Sequence, residues 1–466
     1  METNYKLKMM IACIFIPATC FFVSASPLKE ETKNLNIAVW SDIHLMAPSL
    51  LDGLDGNAAT RFYKMLYETD ALFDAAFELL KQRETAPDVL IIPGDLTSNG
   101  ERASHEWLAQ KLKEVMAYFP GIKIYVIDGD HDINRESLAK TYVNGYPEDT
   151  EWVTDAQFQE IYTGFGYDDA ANEYYIPELD DYGVNSYVAR PAEGFTLIAI
   201  DADNHSDGRF SGELLEWVIE KARDAQERGD AVIAMMHRGL VPHLTLEAKY
   251  LENCLIKNYE TISHSLADAG IRWMFTGHTH ANDIARITTE SGNTIYDIET
   301  GSPVIYPSPV RYITFTKEED KETLHSETGL IRSIDYNDPQ TGEAVTDLEA
   351  YYLQNYMAES QIIDTLLGYA GYALIVSIMN MIATAEYSPV VGVSHTGSRA
   401  LLESLIGLDF ADFAATLFSS VLPASEAEGK EVDVSGSILK LWRDEEARRI
   451  KISGTIKIII SFTGVS

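Results

Sequence analysis

Five short segments of the chain carry Asp and His side chains that could bind metal ions. They are Asp42-Ile43-His44, Gly94-Asp95, Gly129-Asp130-His131-Asp132, His237 and Gly277-His278-Thr279-His280. Mixed carboxylate and imidazole ligands suit Mn, Fe, Zn or Co rather than Ca. Any one segment alone is weak evidence, because an Asp after a strand is more often a helix cap and a lone His is more often structural. Five such segments in order along the chain, each after an apolar run, favour a metal site.

Two of these segments present their polar residues at alternate positions. In an extended chain residues i and i+2 point the same way, so Asp42 and His44, or His278 and His280, can address one site. The glycines beside the Asp and His residues permit sharp turns and a close approach of the backbone. We therefore expect extended segments that aim paired side chains at a shared centre.

The residues that must position this centre lie in alternating strand-like and helix-like stretches. Short apolar runs at 36–40, 89–92, 124–127, 197–200, 231–234 and 272–275 predict buried strands. Apolar residues recur at three- and four-residue spacing in 61–83, 104–117 and 212–227, which predicts helices. The pattern indicates an α/β layered fold, in which loops at the C-terminal ends of neighbouring strands converge on one edge of a sheet.

In order and spacing, the motifs D-x-H, G-D, G-N-H-D/E, H and G-H-x-H make the chain resemble the calcineurin-like metallophosphoesterase superfamily over residues 35–316. The resemblance implies a two-sheet α/β sandwich flanked by helices. It also implies two divalent or trivalent metal ions. One ion would be bound by Asp42, His44 and His280 and the other by Asp130, His237 and His278, with Asp95 bridging the two.

The resemblance further implies a reaction. A hydroxide held by the metal ions would attack the phosphorus of a phosphomonoester or phosphodiester, a small-molecule substrate. His131 resembles the histidine that stabilises or protonates the leaving group. Asp132 would orient and charge that imidazole.

The chain departs from the family pattern at Asp130, where the family has Asn. We expect Asp130 still to coordinate, to tighten the second metal and to make its water less acidic. The alternative is a weakened site in a surface or binding protein that uses residues 345–466 for interaction. Ser98 stands where purple acid phosphatases carry Tyr, so an iron–tyrosinate centre is not expected. Arg238 could contact substrate phosphate or pair with surface acids.

Other polar residues receive no chemical role from the sequence. His205 and His243 are interpreted as solvated loop residues, and Asp297 and Glu299 as solvated surface. Cys254 lies in an apolar setting and is interpreted as buried packing rather than as a nucleophile. The other two cysteines, Cys13 and Cys20, lie within the first 25 residues. If those residues are removed, Cys254 is the one remaining thiol and no internal disulfide is expected.

Composition excludes one class of partner. The 466 residues carry 72 Asp+Glu against 36 Lys+Arg, a formal net charge of -36, which repels polyanions. We therefore expect no nucleic-acid binding. Length alone predicts two or three domains.

The ends of the chain carry two further predictions. Residues 1–25 resemble an export signal cleaved before Ser26, so we expect a secreted or cell-envelope protein; the alternative is an uncleaved N-terminal anchor. Residues 345–466 predict a mainly helical accessory domain. Within it, Thr365 to Ala385 lacks charge and is long enough to cross a bilayer. Its Asn380 and glycines, and the absence of a basic flank, favour a buried helix, and membrane contact is not expected beyond a signal or anchor. Nothing in the sequence indicates the oligomeric state.

Overall fold

The computed structural model describes residues 32–51, 64–243, 252–318, 321–339, 341–356, 449–451 and 459–461. The predicted export signal, the uncharged segment 365–385 and most of the predicted accessory domain lie outside the described residues.

The described elements alternate between strands and helices. In chain order they are β1 (Lys33–Val39), α1 (Thr69–Lys81), β2 (Val89–Pro93), α2 (Arg102–Tyr118), β3 (Lys123–Ile127), β4 (Lys140–Val143), β5 (Tyr146–Asp149), α3 (Asp155–Ile161), β6 (Glu173–Tyr174), β7 (Tyr187–Ala192), β8 (Phe195–Ala199), α4 (Gly212–Glu227), β9 (Ala231–Met235), α5 (Tyr259–Asp268), β10 (Trp273–Thr276), β11 (Asp283–Thr288), β12 (Thr294–Glu299), β13 (Pro309–Glu318), β14 (Lys321–Leu330), α6 (Leu348–Tyr356), β15 (Arg449–Lys451) and β16 (Ile459–Ser461).

Most strands belong to two sheets. The first has the order β14-β13-β1-β2-β3 and the second the order β11-β12-β10-β9-β8-β7-β6. In the first sheet β1, β2 and β3 run parallel, and in the second β8, β9, β10 and β12 run parallel. The parallel strands of each sheet therefore carry their C-terminal loops at one edge.

The two sheets face each other across an apolar core. Phe315 of the first sheet packs edge-to-face on Phe195 and Trp273 of the second, with ring centroids 5.5 and 5.8 Å apart. Helices α1 and α2 bury residues such as Phe73 and Leu112 in the same core, while α4 and α5 pack in a second apolar cluster with residues of the second sheet. The predicted two-sheet sandwich flanked by helices is confirmed.

The predicted strands match the observed ones closely, whereas the helix predicted over 61–83 begins only at Thr69. All six predicted strands are present, and α4 has the predicted bounds. The compact unit continues past residue 316: β14 pairs with β13, and Tyr351 and Tyr352 of α6 are buried in the first core. Among the described residues no helix is both long and apolar enough to cross a bilayer.

Candidate metal centre

The predicted metal-binding residues follow five parallel strands, three in one sheet and two in the other. Asp42 and His44 follow β1, Asp95 follows β2 and Asp130 follows β3, while His237 follows β9 and the pair His278 and His280 follows β10. Both sheets thus contribute loops to one centre.

The structure brings all seven side chains together in two groups. The first comprises Asp42, His44, Asp95 and His280, and the second comprises Asp130, His237 and His278. Within each group the candidate ligand atoms lie within 4.8 Å of one another. The grouping is the division that the resemblance implied, and the role of each residue as a ligand stays a prediction.

The ligand atoms of each group converge at short distances. In the first, Nε2 of His280 lies 3.0 Å from Nε2 of His44 and 3.2 Å from Oδ1 of Asp42. In the second, Oδ1 of Asp130 lies 2.9 Å from Nδ1 of His278 and 3.2 Å from Nε2 of His237. Imidazole nitrogens and carboxylate oxygens that face each other in this way point at a common centre.

Asp95 lies between the groups. Its Oδ2 is 3.4 Å from Nε2 of His44, and its Oδ1 is 3.3 Å from Nε2 of His237. The two oxygens of one carboxylate therefore face different groups, which is the arrangement that a bridging ligand requires.

The backbone at these residues is not extended. Asp42, His44, Asp95, His278 and His280 all have φ between 46° and 73°, in the left-handed region that non-glycine residues seldom adopt. The prediction that an extended chain aims the alternate residues was therefore wrong. Successive tight turns aim them instead, and such conformations are concentrated at functional sites because the surrounding structure must stabilise them.

Three glycines allow the loops to approach each other. A Cβ on Gly277 would overlap Ser41 and the carboxylate of Asp42, and one on Gly129 would overlap Asp95. A Cβ on Gly94 would lie 2.5 Å from Nδ1 of His237. Each glycine directly precedes a predicted ligand, so the close packing of the centre depends on the absence of a side chain there.

The electrostatics of the cluster keep its carboxylates charged. Burial opposes ionisation, but the neighbouring histidines outweigh it and hold the pKa of Asp95 and of Asp130 well below the usual range. Burial, together with Lys64, lowers the pKa of His44, which favours the neutral imidazole. At His237 and His278 the neighbouring carboxylates outweigh burial and raise the pKa, to about 9 for His278, so these two rings would release a proton when a metal ion binds. Metal ions bind ionised carboxylates and neutral imidazoles. Seven buried or half-buried donors of these two types fit two metal ions.

His131 is held beside the two groups. Its backbone N–H donates to Oδ1 of Asp95 at 2.9 Å. Its ring Nδ1 lies 2.8 Å from the carbonyl oxygen of Ser98 and 2.9 Å from Oδ1 of Asn99. Because both partners are oxygen acceptors, Nδ1 carries the proton and Nε2 is left for other chemistry. Ser98 and Asn99 were not predicted to contribute, although they follow the Gly94-Asp95 motif by only a few residues.

Asp132 does not orient His131, so that prediction was wrong. Its carboxylate accepts hydrogen bonds from the backbone N–H groups of Leu96, Thr97 and Gly129, at 2.8–3.0 Å. A buried carboxylate that satisfies three amides has its acceptor sites directed at the backbone. Asp132 thereby joins the loop after β2 to the loop after β3.

Several other predictions are corrected by burial. His243, Asp297 and Glu299 were expected to be solvated but are buried. Arg238 pairs with an acid, although a buried one: its Nε and Nη2 lie 2.9 and 2.7 Å from Oδ1 of Asp203.

His205 and Cys254 have the settings that were predicted, whereas the contact of Lys64 was not predicted. His205 is exposed and lies 2.8 Å from Asp181, as expected of a loop residue. Cys254 is buried, as expected. Lys64, whose Nζ lies 3.0 Å from Nε2 of His44, was not predicted, because a lone Lys belongs to no motif.

Comparison with known proteins identifies the class. A family model described as calcineurin-like phosphoesterase matches residues 35–282, more than half of the chain. The chain therefore belongs to the calcineurin-like phosphoesterase family, a class of metal-dependent hydrolases.

Individual relatives are more distant. The chain is similar to sphingomyelin phosphodiesterase 2 of Caenorhabditis elegans, with 24% identity over an alignment of 231 residues and coverage of 45% of this chain and 34% of that protein. It thus spans about a third of the length of this curated relative. Among solved structures it is similar to a dimetal phosphatase from Danio rerio, with 14% identity, a TM-score of 0.37 and coverage of 62% of this chain and 98% of that one. It is also similar to GAP50, the anchor in the inner membrane complex of Plasmodium, with 11% identity, a TM-score of 0.31 and coverage of 67% and 86%.

Proposed function

We propose that the chain hydrolyses phosphate esters at a centre of two metal ions. The observation that carries this proposal is the position of Asp95, whose two carboxylate oxygens face two separate groups of ligand atoms. A single structural ion needs one closed ligand set, whereas paired ions joined by a carboxylate are typical of enzymes that transfer phosphoryl groups.

Each proposed metal ion has its own set of ligands. Asp42, His44 and His280 would hold one ion, Asp130, His237 and His278 the other, and Asp95 both. When bound, such ions supply Lewis acidity that activates water and neutralises charge on phosphoryl oxygens. The ligand types are compatible with Mn, Fe, Zn or Co.

His131 would handle the leaving group. A ring nitrogen of His131 lies within 4.8 Å of carboxylate oxygens of Asp95 and Asp130, so the ring borders both groups of ligands. With Nδ1 fixed by Ser98 and Asn99, the ring cannot rotate freely. Burial lowers the pKa of His131, so its doubly protonated ring is a stronger acid than a free imidazolium, and its Nε2 would donate to the leaving oxygen as the P–O bond breaks.

A phosphodiester is the substrate class that we favour. The relative named sphingomyelin phosphodiesterase 2 supports this choice. The formal charge of -36 argues against polyanionic substrates such as nucleic acids and leaves small phosphate esters.

The proposal is tested with purified protein and added Mn²⁺. Hydrolysis of a chromogenic phosphodiester and of the matching monoester is compared for wild type, Asp95→Asn and the exposed control Asp335→Asn. We expect Asp335→Asn to behave as wild type and Asp95→Asn to lose at least about 100-fold in rate, because both ions lose a ligand. Equal background rates in all three would contradict the proposal and favour the non-catalytic binding protein.

We also propose that the chain is exported. The charged start and apolar run within residues 1–25 support this. Expression of the full chain, followed by N-terminal sequencing of protein recovered outside the cytoplasm, should give Ser26 as the first residue. Recovery of only the intact chain in the cytoplasm would contradict export.

A further inference from the structure

Strand β12 carries two acids that are completely buried outside the two ligand groups. Asp297 and Glu299 lie two residues apart, so their side chains share one face of the strand. β12 runs parallel to β10, with Asp297 beside Met274 and Glu299 beside Thr276. The acids thus lie next to the strand that leads into the turn bearing His278 and His280.

Asp297 holds the turn that follows His237. Its Oδ2 accepts hydrogen bonds from the backbone N–H groups of Leu240 at 2.6 Å and Val241 at 3.0 Å. Its Oδ1 accepts from the hydroxyl of Thr276 at 2.5 Å, the last residue of β10. One carboxylate therefore joins the turn after His237 to the end of β10, where the turn bearing His278 and His280 begins.

Glu299 holds the turn between the other two histidines. Its Oε1 accepts a hydrogen bond from the hydroxyl of Thr279, which lies between His278 and His280. These histidines belong to different ligand groups, so Glu299 contacts the turn that connects the two groups.

Cationic groups accompany the acids. Ring nitrogens of His243 lie 3.0 Å from Asp283, 3.6 Å from Asp297 and 3.5 Å from Glu299. Arg311, also buried, donates through Nη2 to the carbonyl oxygen of Glu299 at 2.6 Å. Buried charges are stabilised when they are paired and hydrogen-bonded. Here both acids are paired with His243 and accept hydrogen bonds from the turns that follow β9 and β10.

We propose that Asp297 and Glu299 are positioning residues for the metal centre: Asp297 fixes the turn after His237, and Glu299, through Thr279, fixes the separation of His278 from His280. The inference rests on the proposed function for its catalytic consequence, but not for its effect on metal binding. Outer contacts of this kind orient metal ligands, and their loss typically lowers metal affinity or activity by about 10- to 100-fold.

The test uses a matched pair of substitutions at Thr279. Thr279→Val keeps the shape of the side chain and removes the hydroxyl, whereas Thr279→Ser keeps the hydroxyl. Thr316→Val is the control, since it removes a hydroxyl that donates to Oδ1 of Asn34 near the N-terminal end of β1, whereas the ligand loop follows the C-terminal end of that strand. Mn²⁺ affinity is measured by calorimetry, and the thermal midpoint of the metal-free protein is measured separately.

We expect Thr279→Val to weaken Mn²⁺ binding at least about tenfold, with kcat reduced and KM little changed, and we expect Thr279→Ser and Thr316→Val to bind as wild type. Glu299→Gln and Asp297→Asn, which keep side-chain size, should also bind Mn²⁺ more weakly and serve if Thr279→Val does not fold. Wild-type affinity in folded Thr279→Val, or a loss of thermal stability without a loss of affinity, would overturn the inference. If wild type binds Mn²⁺ but hydrolyses no ester, the proposed function fails while the affinities still decide the positioning roles.

Discussion

Asp130 is the residue at which this centre differs from its family pattern. Its carboxylate faces His237 and His278 at 3.2 and 2.9 Å, where the family has a neutral amide. A full negative charge at that point would strengthen the attraction for a metal ion and would make water bound to that ion less acidic.

Asp130→Asn tests this effect with almost no change in shape. We expect the Mn²⁺ affinity of the site formed by Asp130, His237 and His278 to fall about tenfold. The rising limb of the pH–rate profile should move to lower pH, because water beside a less neutralised cation is more acidic. Calorimetry and a pH–rate series measure the two effects, with Asp335→Asn as the control. An unchanged Mn²⁺ affinity would contradict the predicted effect of the negative charge at Asp130.

His131→Asn separates leaving-group chemistry from metal binding. Loss of a general acid costs about 10²- to 10⁴-fold when the leaving group needs a proton. We therefore expect a large loss of kcat on an alkyl phosphate ester and a small loss on a nitrophenyl ester, whose leaving group departs as the anion. Metal content, measured by elemental analysis, should remain that of wild type. An equal loss on both esters would argue against the proton-donor role.

At the scale of elements, the loops of the metal centre pack closely because a glycine precedes each of Asp95, Asp130 and His278. Gly94 and Gly121 make a matched pair, with φ of 90° and 98°. A Cβ on Gly121 meets nothing within 4 Å, whereas one on Gly94 meets the ring of His237. Both changes to Ala carry the backbone strain of positive φ, about 1–2 kcal/mol.

Only Gly94→Ala should also disturb the centre. We expect both variants to lose a similar baseline free energy of unfolding from backbone strain, with a further loss in Gly94→Ala. We expect only Gly94→Ala to bind Mn²⁺ more weakly. Chemical denaturation of the metal-free proteins and calorimetry measure these effects. Equal Mn²⁺ affinity in the two variants would mean that the loop after β2 can move away from His237 without consequence.

The start of α2 contains a pH-sensitive group. Glu101 is buried, its Oε2 accepts from the N–H of Asn99 at 3.0 Å, and burial raises its pKa from 4.5 to about 7. The folded chain therefore holds this proton more tightly than the unfolded chain does. The contribution to stability is full below pH 4.5 and is lost as the pH rises through about 7.

A Gln side chain cannot ionise, so the Glu101→Gln variant should not lose stability from this cause as the pH rises. Relative to wild type, we expect the variant to gain up to about 3 kcal/mol in free energy of unfolding between pH 4.5 and 8. Denaturant titrations across that range measure the difference, with the exposed Glu106→Gln on the same helix as the control. A difference from wild type that does not change with pH would contradict the assigned cause.

The sequence predicted the positions of the strands better than the burial and contacts of individual side chains. Buried parallel strands read as uninterrupted apolar runs, so β2 and β9 were found almost to the residue. Strand β12 was harder, because Asp297 and Glu299 alternate with Tyr296 and Ile298, a pattern typical of a strand with one solvated face. Both acids are buried because tertiary contacts satisfy them, and local periodicity contains no information about those contacts.

The same limit explains the errors within the site. Motif order placed the seven metal-binding candidates in one centre, but left-handed turns at non-glycine residues leave no mark on composition. The direction of the Asp132 carboxylate depends on amides from the loop after β2, some 35 residues earlier in the chain. Sequence spacing therefore predicts which residues meet, and the packing of the loops decides what each one contacts.

At the scale of the whole molecule, the centre joins the two sheets. The first ligand group takes three residues from the first sheet and His280 from the second, whereas the second group takes only Asp130 from the first sheet. Ions bound here would connect loops from opposite layers of the sandwich. In a chain of net charge -36, they would also place positive charge where a phosphate ester must bind.

The central claim is that two metal ions lie on either side of Asp95. Anomalous diffraction from crystals grown with Mn²⁺ tests it directly, with Asp95→Asn crystals as the reference. We predict two anomalous peaks about 3.5–4 Å apart, one near His44 and His280 and one near His237 and His278. A single peak, or none at these residues under saturating Mn²⁺, would contradict the account.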